Sequence, residues 1–149
     1  MSKYELPVLL VSEMPHVAFG SMNDTHSEEI ELVNQLGEAL ILGMQYEQFY
    51  PDITEKLEEW IEHAEEHFLK EDQLMENCGF PALKVHTGEH LRVLEHMKIL
   101  LRRWVQNQQI EPVAEYVFNE WVAWFDDHVN TMDMITAQYL GQIFLDPTG

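Results

Sequence analysis

The chain has 149 residues, with 27 Asp or Glu against 8 Lys or Arg, and carries a formal charge of −19 when its 8 histidines are neutral. That length predicts one domain, and an apolar content of 46% can bury a core, so the acidity does not signal disorder. Phosphate recognition needs clustered Lys and Arg, so the composition argues against nucleic acid and against anionic membrane surfaces as partners.

Residues 1–20 read as an irregular N-terminal arm, with Pro7, Pro15 and Gly20 as breakers. Its one apolar run, from Leu6 to Val11, is interrupted by Pro7 and flanked by Glu5 and Glu13, which is too short and too acidic for a signal peptide. No stretch approaches the ~20 apolar residues of a membrane span. Cys78 is the one cysteine, so no intrachain disulfide forms and a reducing, cytoplasmic setting is expected.

Four helical segments follow, filling residues 21–149 as one bundle domain. The first spans about residues 21–44, with Ile30, Val33, Leu40 and Met44 on its apolar face. The second opens near Pro51-Asp52, because proline suits a first turn, and stops at Cys78-Gly79. Its face carries Leu57, Trp60, Ala64, Leu74 and Cys78. The third starts at Pro81 and closes near Asn107, turning Leu83, Val93, Met97, Leu101 and Trp104 inward. The fourth starts at Pro112 and ends near Tyr139, before Gly141, with Val117, Trp121, Trp124 and Ile135 inward. Short connections between long helices predict an all-α, up-down-up-down antiparallel four-helix bundle.

The polar residues that share the phase of these stripes carry the chemistry. His26 lies one turn before Ile30, His67 and Glu71 fall between Ala64 and Leu74, His86 and His90 fall between Leu83 and Val93, and His128 lies one turn after Trp124. Each helix thus aims at least one histidine at the bundle axis. One inward histidine is ordinary core, and two can be coincidence. Five with an in-phase glutamate would leave buried polar groups costing about 1–3 kcal/mol each, and a metal supplies a partner for all of them. His63, His96 and His16 act as controls: His63 and His96 share phase with charged residues and read as solvated, and His16 lies in the arm. His63, one turn from His67, is the nearest to an exception.

Imidazole with carboxylate suits iron, zinc, manganese or copper. A lone cysteine supports neither a zinc finger nor an iron–sulfur cluster. Five histidines exceed one tetrahedral zinc and suit two metals bridged by carboxylates, with Glu71 the first candidate bridge. An acidic bundle with no metal is the competing reading.

The ordered series of an early His26, then His67-x-x-x-Glu71, His86-x-x-x-His90 and His128-x-x-x-x-Asp133, resembles the hemerythrin family. Asp24-Thr25-His26, His67-Phe68 through Glu71 with Gly79-Phe80-Pro81, and Trp124-Phe125-Asp126-Asp127-His128 strengthen it, and the likeness covers roughly residues 20–140. The resemblance implies two iron ions: one held by His86, His90 and His128, the other by His26 and His67 with a free position for dioxygen. Glu71 and Asp133 would bridge them with an oxo or hydroxo ligand, and oxygen would bind as hydroperoxide. Phe68, Trp124, Phe125 and Val129 would line the pocket. The implied function is reversible dioxygen binding for storage, delivery or sensing, with an oxygen-using enzyme as a candidate partner; the alternative is a di-iron redox enzyme of peroxidase or nitric oxide reductase type, which Glu29 or Tyr139 near the irons would favour.

Asp133 stands about 140° round an ideal helix from His128, so a π-type irregularity is expected near residues 128–133. Asp126 and Asp127 read as exposed. Glu28 and Glu29 read as a solvated acidic first turn, with a carboxylate tuning the iron as the sharper alternative. The arm segment Pro15-His16-Val17-Ala18-Phe19 departs from the family pattern, as does Phe125, where an aliphatic residue is frequent.

Overall fold

The computed structural model describes residues 3–143. Three helices, α1 (Gly20–Gln45), α2 (Tyr50–Cys78) and α3 (Leu83–Asn107), precede a fourth helical run over residues 110–143. The connections are residues 46–49, 79–82 and 108–109, so chain neighbours run antiparallel in a four-helix bundle with no strand among the described residues. None of these helices is long and apolar enough to cross a membrane.

The stops follow local chemistry. α2 opens with Pro51 in its first turn and closes on Gly79, whose φ of 67° is left-handed. Gly79 N–H bonds Glu76 O and Phe80 N–H bonds Met75 O, satisfying carbonyls the helix would leave bare. α3 opens two residues after Pro81, which sits in the preceding turn, and closes on Gln108 in the left-handed region. The fourth helix begins at Ile110, ahead of Pro112, and runs through Gly141 to Ile143; the glycine does not end it.

That fourth helix carries two π-turns, Tyr116–Glu120 and Val129–Asp133. Val113, Val117, Trp121, Phe125, Val129, Asp133 and Ala137 are all buried, a strict spacing of four. On a regular α-helix that spacing drifts by about 40° per step, or about 240° in six steps. Each π-turn absorbs one extra residue, about 100°, and two of them remove most of the drift. The same shift corrects one expectation. Ile135 would face inward on a regular helix but is 56% exposed, and Thr136 takes its place. Met44, expected inward, is 39% exposed near the end of α1, where the buried stripe closes on Gly43 instead.

Apolar packing is divided. A large cluster fills one part of the bundle around Trp60, Trp104, Trp121, Leu40 and Met97, and a small one gathers Phe19, Met22, Ala137 and Leu140. In sequence, the inward polar residues of α1, α2 and the fourth helix lie between members of the two. The arm is tied to α1 by side-chain amides: Asn34 bonds both backbone groups of Leu9, and Asn23 both those of Val17. Phe19 and Met14 are buried.

Candidate metal centre

The helical phase delivers all seven expected ligands to the interior: His26, His67, Glu71, His86, His90, His128 and Asp133 are each at most 7% exposed. Asp133 arrives there because the π-turn ends on it. The donors form two groups, one of His86, His90, His128 and Asp133, the other of His26, His67 and Glu71, with the ligand atoms inside each within 4.8 Å of one another.

The carboxylates serve both groups. Asp133 Oδ1 lies 3.0 Å from His86 Nε2 and 3.2 Å from His128 Nε2, while its Oδ2 lies 3.1 Å from His26 Nε2. Glu71 Oε2 is 2.5 Å from His67 Nε2, and Oε1 is 3.4 Å from His90 Nε2. Each carboxylate turns one oxygen to each group.

Outer partners fix several rings. His86 Nδ1–H donates to Thr136 Oγ1 at 2.8 Å, and the Thr136 hydroxyl in turn faces Met75 Sδ at 3.9 Å. His90 Nδ1–H donates to Asp72 Oδ1 at 2.9 Å, which also accepts the Thr87 hydroxyl at 3.1 Å. With Nδ1 carrying the proton, the Nε2 lone pair of each ring points inward. Asp72 and Thr136 were not visible as site residues in the sequence; the clue to Asp72 was its place beside Glu71, and Thr136 is legible only once the π-turn is known.

Six buried side-chain atoms among the described residues lack a hydrogen-bond partner: His26 Nδ1 and Nε2, His67 Nδ1, Glu71 Oε1, His90 Nε2 and Asp133 Oδ1. Every one belongs to an expected ligand. Some stand 3.0–3.4 Å from an opposing donor or acceptor, yet not in hydrogen-bond geometry. For His26 Nε2, Glu71 Oε1, His90 Nε2 and Asp133 Oδ1, lone pairs aimed at a shared centre, and not at one another, behave this way. Positive ions there relieve these four atoms, so donor set and geometry fit a metal, while the Nδ1 atoms of His26 and His67 face away from it.

A family profile described as "Hemerythrin HHE cation binding domain" matches residues 18–140. The chain belongs to the hemerythrin family. Among curated relatives, the hemerythrin domain is 31% identical over 120 residues to a bacteriohemerythrin of Aquifex aeolicus, covering 80% of this chain and 88% of the relative. It is 28% identical over 137 residues to a bacteriohemerythrin of Ralstonia nicotianae, covering 92% of each. No solved structure gives a significant match.

Electrostatics in the metal-free hemerythrin site follow from crowding two carboxylates among imidazoles. Burial opposes charging His67, but Glu71 outweighs it and pushes the ring up to about 9. For His90, burial is likewise overcome by Asp72 and Glu71, again to about 9. Burial and Asp133 resist ionisation of Glu71, yet His67 draws its carboxyl down to about 2. Asp133 is held well below the usual carboxylate range by His128, His26 and His86, against burial.

The four expected lining residues adjoin the donors. Phe68 stacks on His90 with ring centres 4.2 Å apart at 6°, and Trp124 on His128 at 4.5 Å and 19°. Phe125 presents its edge to His26 at 5.6 Å, and Val129 is fully buried. His96 is exposed, as expected, and His16, in the arm, is exposed as well. Two expectations fail. Glu29 is buried, not solvated, and His63 is half-buried against it, because Trp60 Nε1–H donates to Glu29 Oε1 at 3.0 Å and His63 Nδ1 bonds Oε2. Glu28 is exposed.

Proposed function

We propose that this hemerythrin domain holds two iron ions and binds dioxygen reversibly between them and an apolar wall. The carrying observation is the asymmetry of the donors: three histidines converge on one side and two on the other, with a carboxylate oxygen turned to each. His86, His90 and His128 would hold the better-provided ion, and His26 with His67 the one that keeps a position for a ligand. Glu71 and Asp133 would bridge. Two ferrous ions so held would supply the two electrons that dioxygen takes on binding and would recover them when it leaves. The chain's own part is to fix the donors, aim the Nε2 atoms inward and exclude water. Phe68, Trp124, Phe125 and Val129 do the last, and a dry wall slows loss of reduced oxygen to solvent.

A turnover enzyme would need an acid or base free to serve the reacting oxygen. Tyr139 packs on Phe80 with ring centres 5.3 Å apart, and Glu29, although it stands beside His67, has both oxygens engaged, by Trp60 and His63. Storage or delivery is therefore the reading preferred. Anaerobic reduction of the iron-loaded protein followed by oxygen titration tests it: a coloured adduct should appear and fade with oxygen pressure, at two irons per chain. Continuous consumption of peroxide or nitric oxide from an added electron donor, with no reversible adduct, would instead establish the enzyme.

A further inference from the structure

Among the described residues one further set of metal-type donors forms, sharing His67 with the seven ligands. Glu29, His63 and His67 offer ligand atoms within 4.8 Å of one another. Glu29 Oε1 is tied up by Trp60, which leaves Oε2 facing His63 Nδ1. The other ring nitrogen of His63, Nε2, stands 3.2 Å from Glu28 Oε2. His67 bonds Glu71 through Nε2, and its Nδ1 is buried with no partner. This is the arrangement that orients metal ligands: a carboxylate on the far nitrogen of the histidine and a donor on the far oxygen of the carboxylate, with a single hydrogen bond between His63 Nδ1 and Glu29 Oε2 whose proton an incoming cation would displace.

Position adds a second argument. Side-chain exposure falls from 65% at Glu28 to 18% at His63 and 3% at Glu29, and the next residue inward is His67, already a member of the sealed cluster. The ligands are at most 7% exposed, and the Glu28 to His67 series is a graded set of oxygen and nitrogen donors that runs from the surface to one of them.

We infer that Glu29, His63 and His67 form an entry station for a divalent cation, with Glu28 as its outer partner, from which the ion passes to the inner cluster. A neutral imidazole has one lone pair to give, so His67 serves the station and the inner site in turn, and the station is filled in transit. Imidazole with carboxylate accepts ferrous, manganous, cobaltous or zinc ions, and the surplus negative charge of the chain concentrates any of them at its surface. The inference rests on the inner cluster taking two ions.

The test follows cobalt(II) uptake into the metal-free, full-length chain by stopped-flow visible absorption. Wild type, Glu29→Gln and His63→Ala should all finish at two ions per chain, with uptake slowed about tenfold or more in both variants. Glu28→Gln, which removes only the outer partner, should slow it less. Helicity by circular dichroism checks the fold; should Glu29→Gln lose it, His63→Ala, at a half-buried position, decides alone. Variants that load at the wild-type rate overturn the station while leaving the inner site intact. A wild-type end point below two ions overturns the reading of the inner site instead, and the station with it.

Discussion

The two halves of the metal site are built differently. On the side of His86, His90 and His128, two rings are anchored from behind, His86 by Thr136 and His90 by Asp72, and the third lies flat against Trp124. On the side of His26 and His67, neither nitrogen of His26 has a hydrogen-bond partner, nor does Nδ1 of His67. One half is fixed by outer hydrogen bonds before any ion arrives. The other has no anchor on its outer nitrogens: His67 is tied only to Glu71 through Nε2, and His26 is held by packing, with Phe125 in a T-shaped contact and His67 5.4 Å away. A braced half suits an ion whose coordination does not change, and a loosely held half suits one that takes on and releases a ligand.

The strongest way to break this comparison is to remove what both halves share. Asp133→Ala deletes the oxygens facing His26, His86 and His128 together, leaving buried imidazoles without their counter-charge. Metal content should fall from two ions to at most one per chain, read by elemental analysis after loading in excess iron. Two retained ions would show that Asp133 is not a shared ligand.

Acidity comes next. In the metal-free chain His67 and His90 have folded values near 9 against an ordinary 6.5. Their contribution to stability is complete below about pH 6.5 and disappears as pH rises through about 9. Glu71, drawn down to about 2, contributes above 4.5 and fails only as pH falls through 2. The metal-free protein should thus melt at a lower temperature at pH 9 than at pH 6.5. Metal needs the deprotonated rings, so the rise in Tm on adding zinc should be larger at pH 9. An equal rise at both pH values would show that protons and metal do not compete for these groups.

Much of this was legible in the sequence, and the exceptions have physical causes. His26, His67, Glu71, His86 and His90 could be placed from spacing alone, since α1 to α3 are regular and a burial phase of 3.6 residues holds along them, and His128 because it shares the regular stretch Trp121–His128 with Trp124. Asp133 could not. At five residues from His128 it reads as off-face, and only the likeness to the family nominated it; the π-turn Val129–Asp133 supplies the missing rotation. Ile135 was misplaced by the same turn. Glu29 was misread for a different reason: Glu28 and Glu31 on either side make the segment look like a solvated acidic turn. The clue was its position three residues after His26 and four before Val33, on the buried stripe, but an apolar scan does not count a carboxylate. Its partner Trp60 lies on another helix, 31 residues away.

Outer partners offer a test confined to one half. Asp72→Asn keeps the shape of the side chain but removes the charge that His90 Nδ1–H meets. Loss of such a partner typically costs about 10–100-fold in metal affinity. Competition with a chelator should show that loss for one ion per chain and leave the other unchanged. Equal weakening of both ions would mean that the halves are not independently braced.

The smallest effect should come from the packed half. Phe125 is buried, edge-on to His26 and stacked on Trp121 with ring centres 4.7 Å apart. Phe125→Leu keeps an apolar wall but gives up that stacking and some volume, at about 1–2 kcal/mol of stability by denaturant titration. It touches no donor atom, so two ions should still bind with wild-type affinity. If packing alone positions His26, the ring gains freedom and water reaches the ligand position more easily, so autoxidation of the oxygen adduct should speed up by a few-fold. An unchanged autoxidation rate with the expected loss of stability would place the barrier to water elsewhere, at Phe68 or Val129, and would make Phe125 a core residue that merely adjoins the site.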